Sequence, residues 1–223
     1  MKIKVVESVL KANDAVAREN RRRFEAAGVL AVNLMSAPGS GKTALLERTL
    51  AGLGPDVRSA VVVGDLQTTR DAERLQNTAQ QVVQINTGTG CHLTATQVAE
   101  ALESLELAGL HYLFIENVGN MVCPAGFDLG EHVRVALLST PEGDDKVAKY
   151  PTLFLCADVI LLTKTDLVAV LDYRRERVYE DISRINPRAP VMELSCRTGE
   201  GVDRWLSWLK DERRRRTREV TTG

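Results

Sequence analysis

The octet SAPGSGKT, Ser36 to Thr43, ends in a glycine, a lysine and a threonine at the spacing of a phosphate-binding loop. Against the pattern G-x-x-x-x-G-K-S/T, Gly41, Lys42 and Thr43 are in place, and Ser36 stands where the first glycine is usual. Gly39 and Gly41, with Ser40 between them, let successive backbone N–H groups turn inward onto phosphate oxygens. A helix opening at Lys42, Thr43 and Ala44 would add the positive end of its dipole. Lys42 is then placed for the β- and γ-phosphates and the Thr43 hydroxyl for Mg²⁺. Two carboxylates close apolar runs: Asp65 ends VVVGD and Glu116 ends LFIE. If those runs are parallel strands, both acids reach the edge that carries the phosphate loop. There Asp65 can hold Mg²⁺ through water, and either acid can orient an attacking water. Asp71 follows one short loop later as a further candidate, with helix N-capping the role its position favours.

A second set of residues selects the base. LLTKTDL, Leu161 to Leu167, resembles the N-K-x-D element of guanine-nucleotide sites, with Thr163 in place of the asparagine and Lys164 and Asp166 intact. An aspartate there accepts from guanine N1–H and its exocyclic amine, a donor pair adenine lacks. ELSCRTGEG, Glu193 to Gly201, follows the last apolar run and resembles the serine-containing loop that packs on guanine, which brings in Ser195 and Cys196. Together they point to GTP.

A third set is soft. The chain has four cysteines and three histidines, yet Cys91 and His92 are adjacent, after a glycine turn. Cys123 follows the fourth strand candidate, so the same edge would gather all three. Thr94 and Gln97 fit a capping box, so a helix is expected right after His92. A thiol beside a helix N-terminus has a lowered pKa. Two thiolates and an imidazole suit Ni²⁺ or Zn²⁺ rather than Mg²⁺ or Ca²⁺. Cys156 lies in an apolar run and reads as structural. His111 and His132 precede strands without thiol company and read as surface residues.

These residues need elements to position them. Strand candidates are Leu30–Met35, Ala60–Val63, Gln81–Ile85, Tyr112–Ile115, Val133–Leu138, Val159–Leu162 and Val191–Leu194. Most are nearly continuous Val, Ile and Leu, as strands covered on both faces should be. Between them lie amphipathic stretches such as TALLERTLAGL, QVAEALESLELAG and DYRRERVYEDISRI. The rhythm predicts an α/β fold: one P-loop NTPase domain with a mostly parallel central sheet of about seven strands and helices on both faces. A leading helix is expected over residues 5–27, apolar at Val5, Val9, Ala12 and Val16. The expected division is a helical extension over 1–28, the nucleotide-binding domain over 29–215 and a disordered tail over 216–223.

Composition excludes several classes. A net charge of −1, with 44% hydrophobic and 26% charged residues, is that of an ordinary globular protein and does not favour nucleic acid. The basic clusters Arg21–Arg23 and Arg213–Arg216 read as solvated helix faces. No signal peptide and no run of 18 apolar residues is seen, so no membrane association is expected. The cysteines have no disulfide-framework spacing, and the expected setting is the cytoplasm.

Taken together, MSAPGSGKT, GDLQTTRDAERL, NTGTGCHL, IENVGNMVCPAGFDLGE, TPEGDDK and LLTKTDL resemble the HypB family of nickel-insertion GTPases of nickel–iron hydrogenase maturation. The resemblance spans nearly the whole chain. It implies a P-loop fold of the nucleotide-dimerising (SIMIBI) class, GTP hydrolysis, and a nickel or zinc site at Cys91, His92 and Cys123. It also implies a homodimer formed on GTP and metal binding, the nickel-carrying partner HypA, and delivery to the hydrogenase large-subunit precursor. Some members carry an N-terminal cysteine motif or a histidine-rich nickel store; neither is seen here, and a storage role is not expected. The urease-accessory relative UreG carries a Cys-Pro-His motif, whereas here Cys123-Pro124 is followed by Ala125. A P-loop small-molecule kinase with structural zinc would have no use for the TKTD and SCRTGEG pair, and a nucleotide-gated binding module without turnover stays open.

Overall fold

Parallel β-strands need crossover connections over their faces, and α-helices supply them between all consecutive strands but the fourth and fifth, which residues 117–132 join with one short 3-10 turn. The computed structural model describes residues 2–65, 70–76 and 78–222, with side chains described from residue 10 to 216 except at Arg70. Its strands are β1 (Leu30–Met35), β2 (Ser59–Asp65), β3 (Gln81–Asn86), β4 (Tyr112–Glu116), β5 (Val133–Ser139), β6 (Val159–Thr163) and β7 (Val191–Glu193). They form one sheet in the order β3-β2-β4-β1-β5-β6-β7, and every pairing is parallel. The principal helices are α1 (Lys2–Ala27), α2 (Lys42–Leu53), α3 (Arg70–Leu75), α4 (Ala95–Leu102), α5 (Lys146–Lys149), α6 (Pro151–Leu155), α7 (Arg175–Ile185) and α8 (Val202–Thr222).

The sheet's side-chain alternation divides the core. Leu30, Val32 and Leu34 of β1 face α2 and α8, where Leu45, Leu46, Leu50, Trp205 and Leu209 are buried with them. Ala31 turns to the opposite face and packs with Phe24 of α1 and Val98 and Leu102 of α4. Met35 joins Leu153, Phe154, Val178 and Ile182, under α6 and α7. Truncating one of these fully buried leucines to alanine should cost ~2–5 kcal/mol. All six residues of β1 are buried. That is why its sequence is apolar at every position but Asn33, without alternation.

Several expectations need correction. The docked face of α1 is Asn13, Ala17, Asn20 and Phe24; Ala12 is exposed and Val16 only half-buried. The asparagines fix it: Asn13 Nδ2 donates to Asp128 O (2.7 Å), and Asn20 Nδ2 to Ala95 O (2.9 Å) and Leu129 O (3.1 Å). The side chains of Val5 and Val9 lie outside the described residues. α8 continues through the residues 216–222 read above as a tail. The basic clusters are paired rather than simply solvated: Arg21 with Asp128, Arg23 with Glu103, Arg214 with Asp211, and Arg215 and Arg216 with Glu212. His111 and His132 are not surface groups without a task. Their Nδ1 atoms accept from the backbone N–H of Arg58 and Ala31 (3.0 Å each), and burial pushes His132 down to about 4. Among the described residues no helix is long and apolar enough to cross a membrane.

Candidate functional site

Register fixes what the sheet edge presents. Glu116 pairs with Leu34 of β1 on one side and Val63 of β2 on the other, so β1, β2 and β4 deliver the phosphate loop, Asp65 and Glu116 to one edge. Between β1 and α2 the chain turns tightly, with Gly39 at φ +73° and Gly41 at φ +101°, a region that an L side chain rarely adopts. Ser36 accounts for its own presence in the glycine position: fully buried, its hydroxyl accepts from Lys42 Nζ (3.1 Å) and donates to Ala37 O (2.8 Å). Ser40 Oγ donates to Glu142 Oε2 (2.9 Å), a ligand to the loop that sequence reading missed. Glu142 sits in TPEGDDK and is itself held in a capping box by Ser139.

Around this loop opens a cleft of about 440 Å³ that includes Gly39, Gly41, Lys42, Thr43, Ala44, Asp65, Asp71, Arg74, Glu116, Asn117 and Lys164. Thr43 Oγ1 donates to Glu116 Oε1 (2.8 Å), while the buried Oε2 has no hydrogen-bond partner among the described residues. Burial pushes the Glu116 carboxyl up to about 7, with Lys42 and the Thr43 hydrogen bond pulling the other way. Burial likewise lowers the Lys42 amine, opposed by the carboxylates of Glu116, Asp71, Glu142 and Asp65. Asp71 is not the residue before α3 but lies in its first turn, facing Arg74 at 3.6 Å. Arg74, not anticipated, brings a guanidinium to the cleft and pairs with Glu47 Oε2 at 2.7 Å. Residues 66–69 of the GDLQTTRDAERL stretch lie outside the described residues. Thr43, Glu116 and Asp65 are all oxygen donors, the set a hard divalent cation such as Mg²⁺ prefers, and the unpartnered Glu116 oxygen fits such an ion.

A second cleft, of about 270 Å³, adjoins the first and is lined by Ser40, Gly41, Ala44, Thr163, Lys164, Asp166, Leu167, Ser195, Cys196 and Arg197. Ser195 Oγ donates to Asp166 Oδ1 (2.5 Å) and Arg197 Nε to Oδ2 (2.8 Å). The Ser195 hydrogen bond, with Arg197, holds this carboxyl below the usual range. Thr163, in the asparagine position, is buried and its Oγ1 donates to Ser40 O (2.7 Å); Lys164 Nζ donates to Gly39 O (2.6 Å). Both tie the base loop to the phosphate loop. Lys164 is the only non-glycine with positive φ (57°) among the described residues. Cys196 contributes its carbonyl, which accepts from Arg48 Nε (2.8 Å), and burial pushes its thiol up to about 11.

The three soft ligands meet. The ligand atoms of Cys91, His92 and Cys123 lie within 4.8 Å of one another, all half-buried, the one such group among the described residues. Cys91 Sγ is 3.5 Å from His92 Nδ1. The imidazole stacks on Phe127, ring centroids 3.9 Å apart, an orienting contact that spacing alone did not reveal. Burial lowers the His92 pKa, which favours the neutral ring, the form that binds a metal. The Cys123 thiol is raised, first by its hydrogen bond with Cys91. The capping box of Thr94 and Gln97 is present, but α4 begins at Ala95, three residues past His92.

Comparison with known proteins covers the same residues. The family model for the CobW/HypB/UreG nucleotide-binding domain matches residues 30–193. The chain is 49% identical over 216 residues to the hydrogenase maturation factor HypB of Azotobacter chroococcum, covering 97% of this chain and 71% of that protein. Among solved structures, HypB from Helicobacter pylori in complex with nickel superimposes with a TM-score of 0.87 at 41% identity, covering 92% of this chain and 96% of that one. HypB from Archaeoglobus fulgidus gives a TM-score of 0.86 at 38% identity, covering 92% of this chain and all of that one.

Proposed function

Because the chain belongs to the CobW/HypB/UreG family, and within it to the HypB hydrogenase maturation factors, we propose that it is a GTP-hydrolysing metallochaperone for nickel insertion into nickel–iron hydrogenase. The observation that carries this reading is the shared sheet edge. A phosphate cleft, a base cleft lined by Asp166 and a Cys–His–Cys cluster lie at the strand ends of one domain.

Lys42 and the amides of residues 39–44 take the β- and γ-phosphates, neutralising the charge that develops as the terminal phosphoryl leaves. Thr43, Asp65 and Glu116 would hold Mg²⁺, which would supply further charge neutralisation on the phosphates. Asp65, Glu116 and Asp71 are the groups available to orient the attacking water. Asp166 accepts from guanine, with Ser195 and the Cys196 backbone beside the base and Lys164 and Ala44 between the two clefts. Cys91, His92 and Cys123 bind Ni²⁺ or Zn²⁺. Three ligands leave a shell of four incomplete, so two chains related by a two-fold axis would share the ion, giving a homodimer on GTP and metal binding. Nickel would arrive from HypA and leave for the hydrogenase large-subunit precursor, in the cytoplasm. Phosphate release from GTP and ATP, with Ni²⁺ binding measured on the same preparation, tests the reading. GTP-selective turnover with stoichiometric Ni²⁺ is expected; no turnover, or equal use of ATP, would overturn it.

A further inference from the structure

The loop from Asn117 to Cys123 touches both sites. It leaves β4 directly after Glu116, at the phosphate cleft, and ends at a soft-metal ligand. Between those points it lies on the phosphate loop. Asn120 N donates to Ser36 O (2.8 Å), and a Cβ on Gly119 would come within 2.8 Å of Pro38 Cα, so only glycine allows this approach. A shift of the phosphate loop must therefore move this segment or break its contact.

Two side chains carry that contact to the metal ligands. Asn117 lines the phosphate cleft and is only 1% exposed. Its Oδ1 accepts from Leu93 N (3.1 Å), the amide immediately after His92, and from Val118 N (3.0 Å). Its Nδ2 donates to Asn33 Oδ1 (3.2 Å), and Asn33 in turn donates to Glu131 Oε1 (3.2 Å), so the amide is anchored to the sheet. Asn120 Oδ1 accepts from Val122 N (2.7 Å) and Cys123 N (3.0 Å), fixing the turn that presents the second thiolate. One asparagine thus holds the His92 loop of the cluster and the other its Cys123 loop.

We propose that Asn117 and Asn120 are the positioning residues through which the state of the nucleotide sets the geometry, and hence the affinity, of the Cys91–His92–Cys123 site. Neither is one of the soft-metal ligands or one of the groups assigned to the phosphates. Asn117 holds Leu93 against β4 as long as Glu116 and the phosphate loop keep their places, and Asn120 holds Cys123 as long as Ser36 does. The inference rests on the reading of the two sites as a guanine-nucleotide site and a soft-metal site. Thermodynamic reciprocity requires that whatever passes from GTP to the metal also passes back.

The test is the Ni²⁺ affinity of the full chain, by competition with a chromophoric chelator, with GDP and with a non-hydrolysable GTP analogue. The ratio of the two dissociation constants is the coupling, typically ~5–150-fold where two sites communicate. In Asn117→Ala and Asn120→Ala the ratio should fall to within about twofold of one, while each variant still binds Ni²⁺ with one nucleotide or the other. A purely structural role would weaken both affinities together and leave the ratio alone. If Asn117→Ala fails to fold, as loss of Asn33's partner could cause, Asn120→Ala decides alone. Wild-type coupling that persists in the folded variants overturns the inference but not the functional reading. A wild-type ratio of one overturns the proposed link between the sites, and the inference with it.

Discussion

At the phosphate cleft, Lys42, Thr43 and Glu116 are 7%, 7% and 4% exposed and already hold one another or Ser36, whereas Cys91, His92 and Cys123 are half-exposed. The first region stands on the buried ends of β1 and β4 and on the first turn of α2; the second is assembled from two loops. Buried charges tolerate little rearrangement, because each depends on its neighbours for compensation. A half-exposed trio of soft ligands can open at small cost. The contrast teaches which part of the molecule is a fixed frame for phosphate chemistry and which is free to take and give up an ion.

The largest effect should follow from removing Lys42, the only cation buried in the frame among the described residues. Lys42→Ala should lower GTP turnover by ~10²–10³-fold. It should leave the fold intact, because Glu116, pushed up to about 7, protonates readily once Lys42 is gone. Steady-state phosphate release and a thermal melt check both halves. Next, the double variant Cys91→Ala, Cys123→Ala should lose Ni²⁺ binding by more than ~100-fold, exceeding the ~10–100-fold cost of losing an outer-shell partner. It should also lose metal-driven dimerisation, read by light scattering; a variant that binds metal and dimerises like the parent would merge the two regions into one nucleotide-only interface. Asp166→Asn should weaken GTP by ~10–100-fold, the equivalent of ~1–3 kcal/mol for a mismatched buried hydrogen bond. It should favour xanthosine triphosphate, since asparagine donates to the xanthine 2-oxo group; unchanged GTP preference in a competition titration removes Asp166 from base recognition.

The smallest effect is on stability. Burial, partly offset by Lys42 and Thr43, raises the Glu116 carboxyl from 4.5 to about 7. A carboxyl with a raised native pKa binds its proton more tightly folded than unfolded. The native state is therefore penalised as pH climbs from about 4.5 to about 7, fully so above 7. Without nucleotide, the wild-type Tm should fall by a few degrees relative to Glu116→Gln between pH 5 and pH 8. Parallel curves would mean that Glu116 is ionised throughout and that the frame is less buried than described.

Legibility in the sequence followed the same division. β1, β4 and β6 were readable because they are buried throughout, and a strand covered on both faces writes itself as a nearly continuous apolar run. The phosphate loop and the base-loop aspartate were readable because backbone conformation and charge demand particular residue types at fixed spacings. Cys91, His92 and Cys123 converge because parallel strands end on a common edge, which topology alone implies. What stayed hidden depends on side chains meeting across long separations. Glu142 reaches Ser40 from 102 residues away, and Asn117 reaches Leu93 from 24 residues away. The docked face of α1 was misread for a related reason: Asn13 and Asn20 bury polar amides against backbone carbonyls, which hydropathy scores as solvent-facing. Phe127 lies in a polar loop and shows its role only through the stacked His92 ring.

One measurement tests most directly whether the fixed frame governs the open trio. The protein is loaded with GTP, Mg²⁺ and one equivalent of Ni²⁺, and phosphate release and Ni²⁺ transfer to a chromophoric chelator are followed in the same single-turnover reaction. The account predicts that Ni²⁺ leaves no faster than phosphate, and that a non-hydrolysable GTP analogue holds the ion back. Nickel appearing at the same rate with the analogue as with GTP, or fully released before phosphate, would contradict it.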